Sequence, residues 1–295
     1  MEGLLCVSRD EVRFSCRTRT FPDGYVEEMI ATRPIFGPAG WEISGQPAGR
    51  ASRAASRKKC DDGRRSARRA AAQLRRYCHC MDARYFVTLT VDAARCDRYD
   101  IPAVTRKLSQ WADNQVRRRG LVYILVPELH KDGALHYHGL FNDALPVVDS
   151  GTLSIPGRKR PKRPRSKVER ARLLESGAQV IYNLPSWSLG FTTAIPLYGD
   201  HDRAISYVSK YIGKQSGQKI AGRWYYHGGS FGEPSVEYLS ICLQDIAAEG
   251  RLSEYHVIGI PDAGISIGMR TYRKGAKGGI GVKGAKGGID GKNGE

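Results

Sequence analysis

The chain of 295 residues carries 47 Lys and Arg against 30 Asp and Glu, a formal net charge of +17. A surplus of that size points to a polyanionic partner, nucleic acid ahead of an anionic membrane surface. No apolar run approaches the ~20 residues of a membrane helix. The opening MEGLLCVSRDEVRF lacks the basic-then-apolar order of a secretory signal, and seven irregularly spaced cysteines make no disulfide framework. The expectation is a cytoplasmic protein with no membrane contact.

Residues 1–49 are mixed in charge, carry Pro22, Pro34, Pro38 and Pro47, and predict little beyond a strand or two. Residues 50–76 hold eleven basic side chains and two acids. Their Ala and Arg content favours helix, with Gly63 as an interruption. The near absence of an apolar stripe predicts a solvated basic helix or a DNA-facing arm, with Arg57, Lys58, Lys59, Arg64, Arg65, Arg68 and Arg69 as candidate DNA contacts. Cys78-His79-Cys80 is spaced too tightly for usual zinc ligands and has no second pair, so it reads as reduced thiols.

Residues 85–91 (YFVTLTV) are β-branched and aromatic, a buried strand. Asp100 caps a helix with Pro102 in its first turn; Val104, Leu108 and Trp111 recur at helical spacing, and Gly120 ends it. Residues 121–130 (LVYILVPELH) and 134–142 (ALHYHGLFN) are two further strands joined by Lys131-Asp132-Gly133. The order β-α-β-β opens a split βαβ, ferredoxin-like or RRM-like antiparallel sheet, so the fold class is α+β. From 143 to about 188 the periodicity lapses, and the PGRKRPKRPRSK stretch, with Arg158, Lys159 and Arg160, predicts an exposed basic loop that touches DNA. Structure resumes with a strand at 190–198, a helix at about 203–214 and the aromatic stretch 223–227. Trp224, Tyr225 and Tyr226 read either as base-stacking platforms or as half-buried strand aromatics. Repeats of Gly-Ala-Lys-Gly-Gly-Ile near the C-terminus read as a flexible cationic tail. The expected domains are an N-terminal region (1–81), a central domain (82–245) and a C-terminal extension (246–295).

His136 and His138 stand two apart on a strand and share a face. A three-residue loop with Gly133 left-handed pairs Glu128 with His136 and Val126 with His138, which places Glu128 on that same face. A two-residue loop would shift the register by one and send Glu128 to the other side. Two imidazoles and a carboxylate suit Mg²⁺ or Mn²⁺ used as a Lewis acid, and ligand type alone leaves zinc open. His130 shares the face but lies farther from His138, and is ranked as an orienting or DNA-contacting residue before a ligand.

On the helix, Ile205, Val208 and Ile212 form one apolar stripe; Tyr207, Lys210, Tyr211 and Lys214 form a second, separate one. The bland reading makes the tyrosines ordinary partly buried aromatics. Against it, a lysine three residues after each tyrosine lowers the cost of a phenolate and can bind a phosphate oxygen.

With YFVTLT, LHYHGLF and YVSKYIGK in this order, the chain resembles the HUH-type rolling-circle replication initiators of small phages and plasmids, in the subgroup with two tyrosines four residues apart. The resemblance covers about residues 82–239. It implies an HUH nuclease fold and a metal at His136, His138 and Glu128. It also implies attack by Tyr207 or Tyr211 on single-stranded origin DNA, leaving a 5′-phosphotyrosine link and a 3′-OH primer, with transfer to the other tyrosine after one round. Lys210 and Lys214 would stabilise phosphate or phenolate. A host polymerase would extend the primer, and a host helicase would open the duplex, because no G-x-x-x-x-G-K-[ST] loop marks a nucleotide site. A transposase or relaxase shares this chemistry, and a non-catalytic single-strand binder shares the fold; site and fold thus carry different weight.

Overall fold

The computed structural model describes residues 13–37, 40–41, 59–197, 199, 201–215 and 218–274. Arg57, Lys58 and the Gly/Lys tail lie outside them. In chain order the elements are β1 (Cys16–Thr20), β2 (Tyr25–Ala31), β3 (Phe36–Gly37), β4 (Gly40–Trp41), α1 (Lys59–His79), β5 (Tyr85–Thr90), α2 (Ile101–Arg119), β6 (Tyr123–Leu129) and β7 (Leu135–Phe141). There follow β8 (Val148–Ser154), α3 (Lys167–Glu175), β9 (Gln179–Asn183), β10 (Thr192–Pro196), α4 (His201–Lys214), β11 (Tyr226–Gly228), β12 (Ser235–Leu239), α5 (Leu243–Ala248), β13 (His256–Ile260) and β14 (Ile265–Arg273). The fold is α+β with antiparallel sheets, and the chain divides into two compact units, 54–232 and 1–53 with 233–295. The sequence reading draws its boundaries at 81 and 245 instead.

The 54–232 unit is built on a seven-stranded sheet in the order β11-β6-β7-β5-β10-β9-β8. Alternation along β5 and β7 sends Val87, Leu89, Leu135 and Tyr137 to one face, where Val104, Leu108 and Ala112 of α2 complete a core. Asp100 caps α2 by accepting from the Ala103 amide at 3.0 Å, and Gly120 ends it in the left-handed conformation. Trp111 is only half-buried, its indole N–H held by the Ser186 carbonyl at 2.8 Å; the third buried position of the stripe is Ala112.

The opposite face carries Ile124, Val126, Leu140 and Phe86 and is covered by α1 and α4. Ala204, Ile205, Val208 and Ile212 anchor α4 there, each large aliphatic among them contributing about 1.5–3 kcal/mol on burial. The basic helix departs from its sequence reading. It runs unbroken through Gly63, and Ala67, Leu74 and Cys78 are buried against α4 and the sheet. The stripe is too poor in large side chains to stand out in sequence; its alanines let the helix approach closely. Arg64, Arg65, Arg68 and Arg69 remain on the exposed side.

The stretch after residue 143 is likewise no bare loop. It adds β8, α3 and β9 to the sheet beyond β10, with a bulge between Asp149 and Thr152 at Gly151 that hides the strand's period-two pattern. Arg158, Lys159 and Arg160 are exposed on the turn that follows β8. From Lys162 onward the segment is tied down: Lys162 bridges to Leu153, pairs with Glu169, and Ser166 caps α3. In the aromatic stretch only Tyr226 belongs to β11.

The second unit is a five-stranded sheet, β12-β1-β2-β14-β13, with α5 packed through Leu243 and Ile246. Part of the C-terminal extension therefore supplies strands. In this unit the buried Glu28 is held by Arg270 at 3.0 Å and by the Tyr255 hydroxyl.

Candidate active site

The β6–β7 turn sets the register on which the site depends. Gly133 is left-handed (φ 87), its amide donates to the His130 carbonyl at 2.8 Å, and the His130 amide donates to the Ala134 carbonyl at 2.8 Å. Glu128 therefore faces His136, and Val126 faces His138. Gly139 follows at a point where a Cβ would lie 1.8 Å from the Ile124 carbonyl oxygen, so only glycine lets β7 lie this close to β6.

On its other side β7 pairs with β5, setting Thr88 opposite His138 and Thr90 opposite His136. The Thr88 Oγ1 lies 3.0 Å from His138 Nδ1, and the Thr90 Oγ1 lies 3.3 Å from His136 Nδ1. Both hydroxyls can donate or accept, so they orient the rings in either neutral tautomer. Sequence reasoning took this strand as a motif but missed the two threonines. Period two was the available signal: Phe86, Thr88 and Thr90 alternate with the buried Val87, Leu89 and Val91.

The helix α4 lies over this face. The Tyr211 ring stacks on His138 at 4.3 Å and 10°. The Tyr211 hydroxyl donates to the Tyr207 oxygen at 2.9 Å, and the two rings meet edge-on. Tyr211 is 5% exposed and Tyr207 50%, with Phe86 against the latter's ring. The Glu128 carboxylate bridges strand and helix: Oε2 lies 2.9 Å from His138 Nε2, and Oε1 accepts from Lys214 Nζ at 2.9 Å. Lys214 also stands 4.3 Å from the centre of the Tyr211 ring. Lys210 is exposed on the same helix. His130 is exposed beside His136, ring centres 5.3 Å apart, and contacts Asp132, which Arg98 holds at 3.0 Å.

Burial pushes His138 down to about 4, and it lowers His136 as well, with the neighbouring His130 adding to the effect. Both imidazoles are thus neutral at pH 7, the form that can ligate a cation. Burial also holds the Tyr211 phenol above its ordinary range, reinforced by Tyr207 and by the negative Glu128. Among the described residues no three His, Cys, Asp or Glu side chains already form a metal cage. The donor chemistry of His136, His138 and Glu128 nonetheless fits a divalent cation, with Nδ1 of each ring anchored and Nε2 of His138 turned to the carboxylate.

Residues 84–216 match the family model of the replication-associated protein ORF2. The match covers somewhat under half of the chain, and every side chain of this cluster lies within it. It supports a replication initiator. No curated protein matches the chain, and no solved structure matches it. No helix among the described residues is long and apolar enough to cross a membrane.

Proposed function

We propose that the chain is a replication-initiation endonuclease of the HUH type, which nicks single-stranded origin DNA with one of two tyrosines and later rejoins the strand. The observation that carries this reading is the stack of Tyr211 on His138, which sets a hydrogen-bonded tyrosine pair directly on the paired histidines.

Tyr207, the exposed member, attacks first. Its phenolic oxygen bonds to phosphorus as its proton passes to water. The bond from phosphorus to the 3′ oxygen breaks, and that oxygen takes up a proton. The products are a 5′-phosphotyrosine link and a 3′-OH for a host polymerase, and the ester keeps the bond energy, so no nucleotide cofactor is consumed. By donating to the Tyr207 oxygen, the Tyr211 hydroxyl stabilises negative charge there. Tyr211 itself, held protonated by its burial, becomes the acceptor of the second transfer once a strand has been displaced. Lys214 fixes Glu128 and shields Tyr211, while Lys210 meets the phosphate. Mg²⁺ or Mn²⁺ held by His136, His138 and Glu128 would supply Lewis-acid polarisation of the scissile phosphate. His130, steadied by Asp132, flanks His136. The arginines of α1 and Arg158, Lys159 and Arg160 hold backbone phosphates in a salt-dependent way. A host helicase opens the duplex, in the cytoplasm of the host cell.

The test is a covalent-adduct assay with single-stranded DNA from the parent replicon plus Mn²⁺, resolved under denaturing conditions. An adduct that is lost in His136→Ala and in the Tyr207→Phe/Tyr211→Phe double variant is the expected result. Intact DNA binding with no adduct would instead favour a non-catalytic single-strand binder.

A further inference from the structure

Past α4, the same face of the sheet continues onto β10, β9 and β8. Ile195 stands opposite Phe86, and Ser154 stands opposite Gln179. The helix does not cover these strands, and a cavity of about 390 Å³ remains there, with Tyr207 among its walls. That is within the range of small-molecule sites, roughly 300–1,000 Å³. Phe86 and Ile195 supply apolar surface, Ser154 and Gln179 supply paired polar groups, and Arg203 lines it from the first turn of α4. Pro156, also a wall, leads into the exposed Arg158, Lys159 and Arg160.

We infer that this groove is a nucleobase subsite that takes one unpaired base of the strand beside Tyr207. This inference rests on the nickase reading for its choice of ligand, since the strand attacked by Tyr207 must run along this wall. The chemistry of the walls fits that ligand. Apolar and aromatic surface packs the faces of a base, the three cations beyond Pro156 attract its phosphates, and an amide offers both a donor and an acceptor to the base edge. Gln179 is the specificity-determining residue, because an amide pairs best with a neighbouring acceptor and donor such as those of adenine. The β8–α3–β9 excursion thereby gains a purpose: it extends the sheet far enough to build a wall that α4 leaves open.

The experiment uses the full chain in EDTA, so that binding is read without cleavage. Fluorescein-labelled 20-mers of dA, dC and dT are titrated by anisotropy, and a 20-mer carrying 5-iodo-deoxyuridine is photocrosslinked and mapped by mass spectrometry. The expected results are a preference for the dA 20-mer and a crosslink in the peptide of Phe86 or Tyr207. Gln179→Ala should shrink the spread between best and worst oligonucleotide by about tenfold. Gln179→Glu, an acceptor only, should move preference toward dC, whichever way total affinity changes. A wild type that binds all three alike, or crosslinks confined to other surfaces with both variants unchanged in preference, overturns the subsite. Failure of the nickase reading shows separately, as a missing adduct in Mn²⁺.

Discussion

Replacing Thr88 with valine removes one hydroxyl at nearly constant shape. The loss is confined to the 3.0 Å contact with His138 Nδ1, since Val87 and Leu89, which pack on the other face, are untouched. A hydrogen bond of this kind contributes about 1 kcal/mol net to stability, so the variant should fold. Its larger effect should fall on the metal, because losing the group that orients a ligating imidazole costs about 10–100-fold in affinity or activity. Thr90→Val serves as an internal comparison. Its contact to His136 is longer, 3.3 Å, so its penalty should be the smaller of the two. Isothermal titration with Mn²⁺, run beside adduct yield as a function of Mn²⁺, separates the effects. The Thr88→Val curve should move to higher metal while its saturating yield is kept. Unchanged Mn²⁺ affinity in Thr88→Val, with binding abolished in His138→Ala, would refute the role assigned to the hydroxyl.

Gly139→Ala should cost more than about 2 kcal/mol, because the new methyl meets the Ile124 carbonyl and the backbone must move; a urea midpoint equal to wild type would contradict that packing. Lys214→Ala removes a half-exposed partner of Glu128 and should change stability by less than about 1 kcal/mol. In a Tyr207→Phe background it should nevertheless reduce adduct formation through Tyr211 by about tenfold or more, and unchanged adduct kinetics would count against its role at Glu128. The histidines predict a pH dependence of defined sign. Burial sets His138 at about 4 in the folded chain against 6.5 when unfolded. The unfolded chain therefore takes up the proton first. This contribution to stability is complete above about pH 6.5 and is lost as pH falls toward 4. Urea midpoints at pH 7 and pH 5 should differ by more in the wild type than in His138→Gln, and equal differences would remove His138 as the cause.

What sequence carries is local. Periodicity marked β5, α2, β6, β7, β10 and α4, and the Lys131-Asp132-Gly133 turn defined a register that places Glu128 across from His136, because turn length and side-chain parity are properties of neighbouring residues. The tyrosine stripe on α4 was legible for the same reason. Where packing rather than pattern shapes an element, the reading failed: α1 buries a stripe of alanines too small to show in a hydropathy pattern, and the bulge at Gly151 breaks the alternation of β8. Only tertiary structure could bring Thr88 and Thr90 to the imidazoles, set Tyr211 rather than Tyr207 on His138, and choose Lys214 over Lys210 as the partner of Glu128. Those contacts join residues as many as 86 positions apart. Their geometry depends on where α4 crosses the sheet, which the burial of Ile205, Val208 and Ile212 against β6 and β7 decides, and which no spacing within one segment encodes.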